Sequence, residues 1–108
     1  MGISKEFAHK MAALLGSGLN LASTCGAVTG AYLVLGLKFG ENTGFTKEKM
    51  REFNEEFIKE NKYFNCLDLL GYNMTIPKER QIAVDSGIKG HICPKAVASS
   101  INILEKII

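Results

Sequence analysis

The sequence predicts an all-α protein, a small single-domain bundle of about four to six helices over residues 1–108. Apolar residues recur at helical spacing in several segments, and candidate N-caps, prolines and glycines mark where those segments begin and end. No alternating apolar–polar stretch of useful length competes with these helices. A chain of this length can bury one hydrophobic core, and no repeat, linker or low-complexity segment divides it.

The first predicted helix begins at the N-cap Ser4 and ends at the glycine-containing run of residues 16–18. Four apolar residues at helical spacing are expected to face the core: Phe7, Met11, Leu14 and Leu15. The second helix begins at a cap provided by Ser23 or Thr24 and runs to about Phe39.

The second helix carries glycines on one face, although a glycine inside a helix costs about 0.5–1 kcal/mol relative to alanine. Gly26 and Gly30 lie one turn apart with alanines beside them, so this face has almost no side chains. A neighbouring backbone or a bound cofactor can approach such a face closely. We therefore predict cofactor contact at Gly26 and Gly30, with plain helix–helix packing as the alternative.

The remaining helices follow from caps and prolines. Thr46 is expected to cap a third helix with a mixed-charge solvent face and the apolar stripe Met50, Phe53, Phe57 and Ile58. Asn65 opens a short fourth helix, Pro77 a fifth and Pro94 the last. The buried face of the last helix is expected to consist of Val97, Ile101, Leu104 and Ile108, flanked by Ile103 and Ile107.

All three cysteines fall at predicted helix N-termini. Cys25 follows a capping pair, Cys66 follows Asn65, and Cys93 directly precedes Pro94. The positive end of a helix dipole favours an anion, and cysteines in this position often have pKa values below the ordinary value of about 8.5. The pattern therefore indicates a set of thiolates for redox or metal chemistry, against the alternative of inert core cysteines.

The spacing of the cysteines only partly suits a metal. No C-x-x-C pair occurs, which dedicated zinc and iron–sulfur sites usually contain. His91 lies two residues before Cys93, so the chain offers three sulfurs and one imidazole, a donor set known for zinc. We retain Cys25, Cys66, Cys93 and His91 as candidate ligands of zinc or an iron–sulfur cluster. No C-x-x-C-H motif is present, so covalent haem is not expected.

Composition argues against several other classes. The net charge is +2 and the lysines are interleaved with glutamates, so no basic stripe for nucleic acid forms. The longest strongly apolar run, Gly26 to Leu37, is shorter than the roughly 20 residues that cross a bilayer. The first residues carry an early acid and lack the pattern of a signal peptide, and we expect a cytoplasmic protein.

The segment that begins Cys25-Gly26-Ala27-Val28-Thr29-Gly30 and continues to Gly40 resembles the hallmark segment of the C_GCAxxG_C_C family. Cys66-Leu67-Asp68-Leu69-Leu70-Gly71 and Cys93-Pro94-Lys95 resemble the later cysteine segments of that family, in order. The resemblance implies a helical domain with a redox-active cysteine cluster. The family usually has a further cysteine upstream, which this chain lacks, so we expect a shortened variant, a sequence that begins late, or a fourth ligand from a partner chain.

The leading hypothesis is a redox or metal-binding protein that acts through Cys25, Cys66 and Cys93. Either these thiols bind a metal or cluster, or two of them cycle between dithiol and disulfide, as in a thiol/disulfide or electron-transfer oxidoreductase. The expected partners are a second copy of the chain or a redox partner protein, without nucleic acid or membrane. The alternative from a different class is a helical interaction domain, which could be dimeric, with unreactive core cysteines.

Overall fold

The computed structural model describes residues 4–108, and the fold of this part of the chain is all-α as the sequence predicts. Six right-handed helices are present in it: α1 Lys5–Ala12, α2 Gly26–Phe39, α3 Thr43–Asn61, α4 Cys66–Leu70, α5 Pro77–Asp85 and α6 Ile88–Ile107. A single antiparallel bridge joins Thr24 to Asn65. None of the helices in residues 4–108 is long and apolar enough to pass through a bilayer.

The predicted caps of α1 and α4 are confirmed, and those of α2 and α3 are wrong. The N-cap of α2 is Cys25, and not Ser23 or Thr24. The Ser4 side chain accepts a hydrogen bond from the Phe7 N–H at 3.1 Å, as expected of an N-cap. Helix α3 begins four residues earlier than predicted, because the Asn42 side chain caps it. Thr46 lies within the first turns of α3, where its hydroxyl donates to the Phe39 carbonyl at 2.5 Å.

The predicted start of the last helix at Pro94 is also wrong. Helix α6 begins at Ile88 and continues through Pro94. A proline inside a helix removes one N–H and crowds the carbonyl four residues before it, here that of Gly90. The helix continues because Ile88 and Ile92 pack against a small apolar cluster on α4 and α5, and this burial outweighs the local preference of proline.

The main core lies where α2, α3 and α6 meet. Its buried residues are Val28, Ala31, Leu35, Phe53, Phe57, Ala96 and Ile103. The rings of Phe53 and Phe57 stack with centroids 5.7 Å apart, and Phe64 continues the stack beyond Phe57. A second cluster of buried residues joins α4, α5 and the start of α6: Cys66, Leu70, Met74 and Ala83.

Polar side chains also fix α6 to its neighbours. Ser99 is buried and donates to the Glu60 carboxylate, while the Asn61 amide donates to the Ser99 hydroxyl at 2.9 Å. The Ser100 hydroxyl donates to the Ala27 carbonyl at 2.8 Å and so connects α6 to the first turn of α2. Each of these buried groups is satisfied, so the close contact between helices costs little desolvation energy.

The face predicted to be buried is wrong on α1 and partly right on α6, where Leu104 packs against the core as expected. Helix α1 has no buried residue, and its apolar side chains Phe7 and Met11 are exposed. On α6 the buried residues are Ala96, Ser99, Ser100 and Ile103, whereas Val97, Ile101 and Ile108 are exposed. Small residues let α6 approach α2 and α3 closely, and a count of large apolar residues does not reveal that preference.

Replacement of Ile103 should test the corrected face of α6. Ile103→Ala is expected to lower the free energy of unfolding by about 2–5 kcal/mol, because the side chain is 0% exposed in the core. Ile82→Ala is the matched control, since Ile82 is helical and 41% exposed, and should cost less than about 1 kcal/mol. Urea unfolding of both variants gives the comparison, and equal losses would contradict this face.

Candidate thiol site

The three cysteines line one cavity of about 310 Å³, although they are far apart in the sequence. Cys66 is buried, and Cys25 and Cys93 are half-buried. The remaining walls are formed by residues 16–18, the start of α2, and the side chains of Leu70, Met74, Lys89 and Val97. The cavity is therefore mainly apolar, and Lys89 is the cation that borders it.

The Thr24–Asn65 bridge positions two of the cysteines. The Cys25 N–H donates to the Phe64 carbonyl and the Cys66 N–H donates to the Ser23 carbonyl, both at 2.7 Å. Residues that follow the two members of an antiparallel pair point to the same side of it. Cys25 and Cys66 therefore face the same side of the bridge, towards the cavity.

The predicted position at a helix N-terminus is confirmed for two cysteines and wrong for the third. Cys25 is the N-cap of α2, and Cys66 is the first residue of α4 after Asn65. Cys93 lies in the second turn of α6, because that helix begins at Ile88 and not at Pro94. It reaches the cavity from the side of α6 that packs against the cluster containing Cys66.

The segment of residues 17–22 is a left-handed turn, and sequence reasoning missed it. Ser17, Gly18, Leu19, Asn20 and Ala22 all have φ between +51° and +62°. A residue other than glycine in this region costs about 1–2 kcal/mol, so the surrounding contacts must stabilise the turn. The Ser23 N–H closes it by donating to the Gly18 carbonyl at 3.0 Å.

Gly18 lies where this turn passes closest to the thiols. A Cβ added to it would lie 2.9 Å from the Cys66 Cβ and 2.6 Å from the Ser23 carbonyl oxygen. Both distances are too short for real contacts, and φ is +61°. Only glycine fits without movement of the chain. The sequence signal for this turn is the Gly16-Ser17-Gly18 run, which is equally typical of a helix end.

The two glycines predicted to contact a cofactor have different surroundings. A Cβ on Gly26 would lie 3.1 Å from the Leu15 carbonyl oxygen, so the backbone before the left-handed turn passes over this residue. Gly26 also lines the thiol cavity. Gly30 does not line it, and a Cβ there would have no atom within 4 Å. Packing within the chain thus explains Gly26 but not Gly30.

The electrostatics of the cavity oppose the expected thiolates. Burial raises the pKa of Cys66, and the negative charges of Cys93 and then Cys25 raise it further. Burial also raises the pKa of Cys93, with a further contribution from Cys25. Lys89 lowers both pKa values in part, and it lies one helical turn before Cys93 on α6. The expectation of lowered pKa values is therefore wrong for Cys66 and Cys93.

Of the four candidate metal ligands, the three cysteines line the cavity and His91 lies apart from them. His91 is exposed on α6 and does not line the cavity, since residues two apart on a helix point in nearly opposite directions. Among residues 4–108 no group of three or more His, Cys, Asp or Glu side chains is arranged to hold a metal ion. The placement of these donors in residues 4–108 gives no support to the predicted zinc or iron–sulfur site.

The comparison with protein families identifies the chain over nearly its full length. A family model described as "Putative redox-active protein (C_GCAxxG_C_C)" matches residues 1–107. No curated protein and no solved structure matches the chain. The matched range includes the three cysteines that line the cavity.

Gly18→Ala should destabilise the protein by about 2 kcal/mol or more, through the left-handed backbone and the contact with Cys66. Gly71→Ala separates these two causes, because Gly71 also has positive φ but open space around an added Cβ. Its expected cost is about 1 kcal/mol. Thermal unfolding of both variants measures the difference, and a loss no larger at Gly18 than at Gly71 would contradict the close contact.

The reduced protein should lose stability as the pH rises above about 8.5, the ordinary cysteine pKa. A thiol with a raised pKa keeps its proton in the folded state at a pH at which the unfolded chain loses it. The contribution to the free energy of unfolding is therefore fully present below the ordinary cysteine pKa, and it is lost as the pH rises through the pKa of the folded state. Urea unfolding in reductant, from about pH 7.5 to about pH 9.5, measures this.

The double variant C66A/C93A is the control for this pH dependence and should show a flatter profile. Tyr32 also has a raised pKa because of burial, but from an ordinary value of 10.0, so it titrates above the tested range. An unchanged slope in the double variant would assign the pH dependence to other groups.

Proposed function

We propose that this chain, which belongs to the C_GCAxxG_C_C family of redox-active proteins, acts as a dithiol–disulfide exchange protein. The observation that carries the proposal is the convergence of Cys25, Cys66 and Cys93 on one largely apolar cavity. Cysteines that only fill a core are expected to be closely packed, and not to line one open cavity from three separate helices. A metal-based function receives no support from the donor arrangement.

Cys66 and Cys93 are the proposed exchanging pair. Both belong to the apolar cluster that joins α4, α5 and the start of α6, whereas Cys25 packs against the main core. The charge of Cys93 also raises the pKa of Cys66 more than the charge of Cys25 does, which indicates the stronger interaction. Disulfide formation requires Cα atoms about 4.4–6.8 Å apart.

The difference in exposure assigns the two thiols different roles. Cys93 is half-buried and can meet a disulfide on a partner, while Cys66 is 7% exposed and can only act inside the cavity. The Cys93 thiolate attacks the partner disulfide, breaks its S–S bond and releases one partner thiolate, which takes up a proton. The Cys66 thiolate then attacks the Cys93 sulfur, forms the internal disulfide and releases the second partner thiolate.

In sum, two protein thiols and one partner disulfide become one protein disulfide and two partner thiols, and two electrons pass to the partner. Lys89 favours the thiolate that begins the exchange, because its positive charge, one turn away, opposes the rise in the pKa of Cys93 that burial causes. Burial raises the pKa of Cys66, and the charge of Cys93 raises it further. The mixed disulfide removes the charge of Cys93, so the Cys66 thiolate forms more readily at that point. Cys25 remains as the third thiol of the cavity.

Oxidation in glutathione redox buffers, followed by peptide mass mapping and a thiol count, tests the proposal. The expected product has lost two thiols and contains a Cys66–Cys93 disulfide, and Cys25→Ala should oxidise in the same way. Cys66→Ala and Cys93→Ala should form no internal disulfide of this kind. Three thiols that persist under oxidising buffer would favour the interaction-domain reading, and metal found after anaerobic purification would favour a metal centre.

Lys89→Met provides a second test, which measures the reactivity of Cys93 by alkylation. The rate of Cys93 alkylation at pH 7 is expected to fall about two- to tenfold, because one pKa unit corresponds to a factor of ten in thiolate concentration. Lys89→Arg keeps the charge and should keep most of the rate. Equal rates in Lys89→Met and the unmodified chain would contradict the role given to this cation.

A further inference from the structure

Helix α2 is apolar on both sides, but only one side is covered within the chain. Its core face is buried through Val28, Ala31 and Leu35. At 100° per residue, Leu33 and Leu37 lie on the opposite side of the helix, and both are exposed. A helix that is hydrophobic all round is ordinarily buried on all sides. The outer side of α2 therefore lacks a covering element in residues 4–108.

Two neighbouring helices extend this exposed side. Phe7 and Met11 of α1 face α2 across a groove of about 560 Å³. Val97 and Ile101 of α6 border a second groove of about 250 Å³ on the other flank of α2. We call the six side chains the outer apolar surface: Phe7, Met11, Leu33, Leu37, Val97 and Ile101. Of the residues that the structure describes, none that lines either groove is charged.

The size of the outer apolar surface suits a dimer. Its six side chains are each between 45% and 55% exposed. Together they expose on the order of 500 Å² of apolar area, which approaches the ~800 Å² that each partner buries in a standard interface once a polar rim is added. A continuous apolar patch of this size is at the upper end for a monomer.

We propose that a second copy of the chain covers the outer apolar surface in a two-fold symmetric dimer. The surface is self-complementary, because it presents the projecting Leu33 and Leu37 beside the bare backbone of Gly30. A two-fold arrangement places each leucine ridge against the other copy's glycine. An added Cβ at Gly30 has open space within the chain, so close approach by another copy explains a glycine that internal packing does not.

The dimer would also border the thiol cavity. Gly26, Ala27 and Val97 line both the cavity and the groove between α2 and α6. A copy seated on this groove therefore covers one side of the cavity and leaves the side of Lys89 open. The proposal rests on the apolar surface alone and holds whether or not the cysteines exchange.

Sedimentation velocity in reductant, from low micromolar to several hundred micromolar protein, tests the dimer without disulfide cross-links. The expected result is a concentration-dependent species of twice 11.8 kDa. Leu33→Glu should abolish it while circular dichroism shows an unchanged helix content. A single 11.8 kDa species at every concentration would overturn the proposal. Binding of an apolar dye or detergent to that monomer would not rescue it.

Gly30→Ala should change the stability of the monomer and the affinity of the dimer in opposite directions. Alanine in an open helical position should raise the melting temperature of the monomer, and yet it should weaken the dimer about tenfold by blocking close approach. Gly90→Ala is the matched control, since Gly90 lies within α6 with open space and outside the surface. It should raise the melting temperature and leave dimerisation unchanged. Undiminished dimerisation in both Gly30→Ala and Leu33→Glu would place the interface elsewhere.

Discussion

Two reciprocal backbone hydrogen bonds hold the thiol site together. They join the residue before α2 to Phe64 and the first residue of α4 to Ser23, across about forty residues of sequence. Because these bonds use main-chain atoms, they fix the directions of Cys25 and Cys66 independently of side-chain rotamers. The left-handed turn, the start of α2 and the short α4 all take their positions from this connection, and α6 then closes the cavity with Cys93.

The sequence predicted those parts of the fold that depend on local chemistry. Ser4 caps α1, Gly71 ends α4 and Pro77 begins α5, because each satisfies or stops a helix end with its own atoms. The errors arose where distant contacts outweigh local preference. Apolar packing carries α6 through Pro94, and the buried face of that helix depends on small residues that suit close approach.

The sequence indicated which thiols line the cavity, but not how the cavity changes their pKa values. Ordered cysteines beside predicted helix starts identified the three thiols that line one cavity, and the spacing of Lys89 four residues before Cys93 could have identified the cation. The raised thiol pKa values could not be inferred, because burial is a property of the assembled helices. His91 shows the converse, since proximity in sequence placed it on the wrong side of α6.

Pro94 gives α6 two mechanically different parts. The residues after it form the long segment whose serines and isoleucine are fixed in the core, while the residues before it carry Cys93 and Lys89. Proline has no N–H to donate to the Gly90 carbonyl, so one bond of the helical ladder is missing at the junction. The turn that carries Cys93 and Lys89 is therefore coupled less firmly to the core half of α6 than it would be in an unbroken helix.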